Sequence, residues 1–312
     1  YCLRSVRVRE PASRRATAPP QPPSMSLNFS DGARYNNMLP LTANPYKHSL
    51  QLFGQTRTTE IIQFPDFGIG GVLWDCELVL AAYLSGSRMG TSRLNCRSVV
   101  ELGSGTGLAA LVAWQLGAFA VATDLPDVVA HVTTPNVTHN VASVKRQRAA
   151  AIHAAPLSWG NRAEGDAVTS IIGKAAAAGL VVASAKVAKG RLIGHPGSAS
   201  ATLVPVDFLI AADVIYHSDQ HAPLLDTILQ LLGPQSVFVF THRRRFENDS
   251  NFLEPLMEIL EMKSATPVAD VLPAYPKANL TIYEFQRRVV PSVAASPGSG
   301  SKCDTDPPPP AE

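Results

Sequence analysis

Hydrophobic positions along this chain fall into short unbroken runs separated by longer amphipathic or alanine-rich stretches, a pattern that predicts strands alternating with helices. "SVVEL" (98–102) reads as a buried strand and Leu108 to Leu116 as a helix rich in Ala and Leu. "FAVATD" (119–124) is a second strand, and "LPDVVAHVTTPNVTHNVA" is largely helical, with Pro126 tolerated in the first turn and Pro135 expected to kink it. "VDFLIAADVIY" (206–216) gives a strand and its exit loop, "HAPLLDTILQLL" a helix, and "SVFVFTH" (236–242) another strand. Strands that are apolar on both faces and separated by helices imply an α/β fold with a doubly wound, mostly parallel sheet. "NLTIYEF" (279–285) alternates instead and predicts an antiparallel final strand closing a hairpin.

Composition adds limits. Of 312 residues, 46% are hydrophobic, enough for a sizeable core, and the net charge of +2 does not supply the basic surface of a dedicated nucleic-acid binder. Cys2, Cys76, Cys96 and Cys303 lack the short spacing of a zinc or redox site, which suits a reduced intracellular chain. The most apolar long stretch, 167–193, is interrupted by Lys174, Lys186, Lys189 and Arg191, so no transmembrane helix is expected. Residues 1–45 and 291–312 read as disordered extensions around a domain at 46–290. A cytoplasmic location is expected, or an organelle if the Arg-rich, acid-poor start is a transit peptide. Oligomeric state is left open.

The chemistry starts at "VVELGSGTGLAAL" (99–111). Gly103, Gly105 and Gly107 fall where the first strand turns into its helix, the place where ligands approach the backbone in such folds. Asp124 ends the second strand, where a carboxylate can hold both hydroxyls of a ribose. The dinucleotide pattern GxGxxG is broken by Leu108, and no GxxxxGK[ST] loop is present, which counts against NAD and ATP.

"VVELGSGTGL" followed by "ATDLPDV" resembles the first two motifs of the class I, seven-β-strand methyltransferases that use S-adenosylmethionine, which have a Rossmann-like fold. "GGVLWDCELVLAAYL" (70–84), "NVTHN" (136–140), "LSWG" (157–160) and "AADVIYH" (211–217) make residues 50–288 similar to the methyltransferase-like protein-lysine methyltransferases. The resemblance implies that Glu101, Gly103, Ser104 and Gly105 face the methionine end of the cofactor and that Asp124 holds the ribose. It implies that Leu125 and Trp159 border the adenine, that Ala212 lines the pocket and that Trp74 covers the methionine side. Asp213 and Tyr216, the Asp-x-x-Tyr element, would shape a channel for the lysine of a protein substrate. Such a transfer asks for no metal or covalent nucleophile; the amine has to lose its proton and meet the methyl in line.

Several features have plainer readings. Trp74 and Trp159 could be core aromatics, and Asp213 a helix cap. His217 and His221 read as a surface pair, and Arg243–Arg245 as a solvated run or a device for steering substrate. The Ala/Gly/Ser-rich segment 161–204 is expected to be an insertion, either a loop or a loose helix. A nucleic-acid amino-methyltransferase would carry prolines where this chain has Val214 and Ile215, so nucleic acid is disfavoured. A small-molecule methyltransferase and an inactive adaptor with the same fold are the remaining alternatives.

Overall fold

The computed structural model describes residues 46–50, 58–144, 151–182, 206–244, 250–273 and 279–288. Both terminal extensions and Arg245 lie outside them. Strands β1 (Tyr46–Leu50) and β2 (Thr59–Gln63) form a two-stranded antiparallel ribbon. A 3₁₀ segment, Pro65–Gly71, leads to α1 (Asp75–Ser85) and the short α2 (Gly90–Leu94). The alternating part follows: β3 (Ser98–Leu102), α3 (Leu108–Gln115), β4 (Phe119–Asp124), α4 (Pro126–Val128), a π turn (Val129–Thr133) and α5 (Thr134–Ala142). β5 (Ile152–Pro156), α6 (Arg162–Ala177), β6 (Val206–Ala212), α7 (His221–Leu231), β7 (Leu232–Arg243), α8 (Ser250–Ile259), β8 (Leu260–Pro267) and β9 (Leu280–Arg287) complete it.

The main sheet has the order β5-β4-β3-β6-β7-β9-β8. The first five are mutually parallel, and β9 runs antiparallel between β7 and β8. The expected antiparallel final strand is therefore present, inserted into the sheet beside β7 rather than at its edge. Order reverses at β3, between β4 and β6, which is where a doubly wound sheet opens a crevice.

Period-two alternation divides the core. Val99, Ile210, Val237 and Val239 pack on one face with α1 and α3, while Val100, Leu102, Leu209, Phe238 and Phe240 pack on the other with α6, α7 and α8. Glu101 shares its side with Val99, so the strand sends a buried carboxylate toward α3. By the same count Arg243 shares its side with Val237 and Val239, toward α1.

Two local details explain the flanks. Pro135 has no N–H and its ring crowds the preceding turn; the helix answers by widening just before it, where the Thr134 N–H reaches back to Val129 O in a π turn. Asn136 and Asn140, one turn apart, act as substitute strand neighbours for β2. Asn136 accepts from Ile62 N (2.7 Å) and donates to Ile62 O (2.9 Å), and Asn140 does the same with Glu60 N (3.0 Å) and Glu60 O (2.7 Å). This fixes the strand that leads into the 3₁₀ segment above the crevice. The segment 161–204 begins as a regular helix, α6, capped by the Asn161 side chain and burying Val168 and Ile172; residues 183–205 lie outside the described part.

Candidate active site

At the carboxyl end of β3 the chain turns through Gly103 (φ 62°) and Gly105 (φ 49°), both left-handed. Space matters as much as angle. A Cβ on Gly103 would stand 3.0 Å from the Val214 side chain and 3.3 Å from the Trp159 ring, and one on Gly105 would stand 3.1 Å from Gly70 O. The turn thus lies between Trp159 on one side and the 3₁₀ segment on the other.

Backbone donors of this turn are already engaged: Ser104 N–H by Thr123 O (2.9 Å), Gly107 N–H by Ser104 O (2.7 Å), and others by carboxylates. Gly105 N–H donates to Asp124 Oδ2 (2.7 Å), whose other oxygen takes Leu125 N–H (2.7 Å). At the start of α3, Leu108 N–H donates to Glu77 Oε1 (2.7 Å) and Ala110 N–H to Glu101 Oε2 (2.9 Å). Thr106 Oγ1 adds a bond to the Glu77 carboxylate (3.3 Å). A helix N-terminus that receives a phosphate leaves these N–H groups free; here buried acids fill them. Ser104 Oγ is buried and has no hydrogen-bond partner among the described residues.

Burial raises the proton affinity of all three acids. Glu77 is pushed up to about 8, mainly by burial and further by the Asp124 charge. Glu101 is raised by burial and then by Glu77, and Asp124 by burial. A cation entering beside them would draw these groups back toward their ionised forms.

The second half of the cleft is formed at the ends of β6 and β7. Ala212 closes β6 and is half-buried against the α1 side of the core. Asp213 follows at φ 58°, one of two described non-glycine residues in the left-handed region, and its N–H donates to Thr241 O on β7 (2.9 Å). This is a strand-end carboxylate held in an uncommon conformation, without a helix following it to cap. Tyr216 is 44% exposed, so it stands at the opening. Its hydroxyl is raised first by burial of part of the ring, then by the Asp124 and Asp213 charges.

Trp74 precedes α1, half-buried, with Nε1 donating to Ile69 O (2.9 Å). Trp159 is half-buried against the α7 side of the core, with its edge at Gly103. Leu125 is 55% exposed at the rim. Every residue expected for the site therefore lies at one end of the sheet, around the turn or the neighbouring strand ends.

Sequence reasoning missed three contributors. Glu77 is a charge inside a helix buried on all sides, and that mismatch was its available signal. Gly70 carries the carbonyl above the turn. Arg243 is buried in β7 and paired with Asp75 at the start of α1, which corrects the reading of 243–245 as a solvated run for Arg243; Arg244 is exposed, and Arg245 lies outside the described residues. His221 Nε2 lies 3.0 Å from Ile215 O, whereas His217 leans on Tyr216. Among the described residues there is no group of three or more His, Cys, Asp or Glu placed to hold a metal, and no helix long and apolar enough to cross a membrane.

A family model described as lysine methyltransferase matches residues 57–184 and 197–259, more than half of the chain and nearly the whole of this site. The chain belongs to the lysine methyltransferase family. Its similarity extends to "Protein N-lysine methyltransferase METTL21A" of Xenopus tropicalis, 28% identical over 71% of this chain and 79% of that one. The Mus musculus protein of the same name is 32% identical over 61% and 67%, and "Protein-lysine methyltransferase METTL21E" of Mus musculus is 24% identical over 70% and 72%. The family match passes unbroken through α6 and is interrupted only between 184 and 197.

Proposed function

We propose that this chain is an S-adenosylmethionine-dependent N-methyltransferase that acts on a lysine side chain of a protein. The observation that carries the cofactor class is the occupation of the turn: Asp124, Glu77 and Glu101 take the N–H groups that a nucleotide phosphate would need. An acid-rich crevice of this kind suits a ligand with a positive charge and a ribose, and Ser104 leaves one buried hydroxyl for it. Asp124 would hold the ribose, Leu125 and Trp159 the adenine, and Glu101, Gly103, Ser104, Gly105, Ala212 and Trp74 the methionine end. When bound, S-adenosylmethionine supplies an electrophilic methyl on sulfur.

The remaining work falls to the chain's own residues. Asp213, fixed by its bond to Thr241, would hold the incoming ammonium by an ion pair and accept its hydrogen bond. The amine must lose a proton before it can attack. A lysine with an ordinary value of about 10.4 is charged at neutral pH, and desolvation against Tyr216 and Trp74 lowers that value. Asp213 can pass the proton to solvent at the open edge, where Tyr216 stands exposed. Trp74 and Trp159 exclude water, and the rest of catalysis is alignment.

The direct test is transfer of a radiolabelled methyl group to cell extract. Label should resist nuclease, be released by protease and appear as methyllysine after hydrolysis. Label removed by nuclease, or confined to small molecules, would reject the substrate class.

A further inference from the structure

Glu77 lies outside the group of residues that the functional reading above puts against cofactor or substrate, yet it joins two parts of that site. It stands in the first turn of α1, where its N–H donates to the carbonyl of Trp74 (3.2 Å). Trp74 is the N-cap of α1: its carbonyl also accepts from Leu78 N–H (3.2 Å), and its indole is anchored to Ile69 O of the 3₁₀ segment (2.9 Å), so the first turn of α1 fixes the backbone that carries the indole. From there Glu77 accepts from Leu108 N–H (2.7 Å) and from Thr106 Oγ1 (3.3 Å), at the end of the glycine turn. It is 5% exposed, and Thr106 and Leu108 are fully buried. The hydroxyl and the first amide of α3 thus meet one acceptor belonging to another helix.

We infer that Glu77 is a positioning residue for cofactor binding, a clamp that holds the glycine turn in register with the helix bearing Trp74. The inference rests on the functional reading above, and its test separates the two. Affinity for S-adenosylmethionine is measured by calorimetry for the full chain, Glu77→Gln and Glu77→Ala, alongside turnover at saturating cofactor. Gln keeps an acceptor of the same length, so its affinity should stay within about threefold of the parent. Ala leaves a buried amide and hydroxyl without an acceptor and should weaken affinity about tenfold or more, with turnover at saturation within about twofold. If Glu77→Ala does not fold, Glu77→Asp, one methylene short of the same donors, should show the loss instead. Full affinity in the shortened variant overturns the inference, as does a Gln variant as weak as Ala or a loss confined to turnover. Failure of the parent chain to bind S-adenosylmethionine sinks the cofactor reading itself.

Discussion

The floor of the cleft, from Glu101 to Asp124, and its mouth, from Asp213 to Tyr216, sit at the ends of neighbouring strands but are held in different ways. The floor is closed: three carboxylates satisfy the N–H groups of Gly105, Leu108 and Ala110, and burial raises all three. The mouth opens at Tyr216: a buried aspartate in a left-handed conformation is tied by its N–H to β7, and an exposed tyrosine follows it. Binding a ligand of fixed shape rewards a preformed, dry surface, whereas a side chain that must enter, lose a proton and leave needs solvent at hand. On the proposed function, the contrast assigns affinity to the floor and turnover to the mouth.

The largest expected effect tests the closed floor through pH. Glu77 titrates near 8 in the folded chain against an ordinary value of 4.5, and Glu101 and Asp124 are raised in the same direction. Between those values the folded state holds protons that the unfolded state has lost. Stability is therefore full below the unfolded value and declines as pH rises through about 8. Thermal unfolding midpoints of the ligand-free protein should fall from pH 5 to 8, and Glu77→Gln should flatten the slope. An identical slope in the variant would deny that Glu77 holds a proton.

Next in size is the brace behind the mouth. Arg243→Ala leaves Asp75 buried without its cation, so urea unfolding should show a loss of about 3–5 kcal/mol. A loss under about 1 kcal/mol would mean the pair does not tie α1 to β7. Asp213→Asn, which keeps a residue tolerant of the left-handed region, should lower turnover about a hundredfold while cofactor affinity stays within about twofold. Asp124→Ala should do the reverse, weakening cofactor binding about tenfold to a hundredfold by removing charge-assisted bonds. Equal loss of affinity in both variants would erase the division between floor and mouth. The smallest effect is Asp213→Gly, which relieves the left-handed backbone and should raise stability by about 1 kcal/mol while activity falls.

Much of the floor was readable in advance because its determinants are local. Glycines at 103 and 105 announce a turn, an acid ending "FAVATD" announces a strand-end carboxylate, and apolar runs announce buried parallel strands. The sequence also suggested a run of solvated arginines after the fifth parallel strand, and for the first of them it misled. Arg243 still belongs to the strand, and alternation turns it inward to Asp75, 168 positions away. Strand length decided that outcome, and a run of like charges says nothing about strand length.

By itself the sequence determined the element types around the glycine turn and through the fourth and fifth parallel strands, the parallel character of the sheet and the place of the turn, because backbone preference and hydrophobic period act over a few residues. Only the tertiary structure decided which buried polar groups meet which partners: Glu77 with Leu108, Asn136 with Ile62, Asp75 with Arg243. Each of these polar groups must find a partner once water is removed, and the partner is whatever the packing of two distant elements brings within reach.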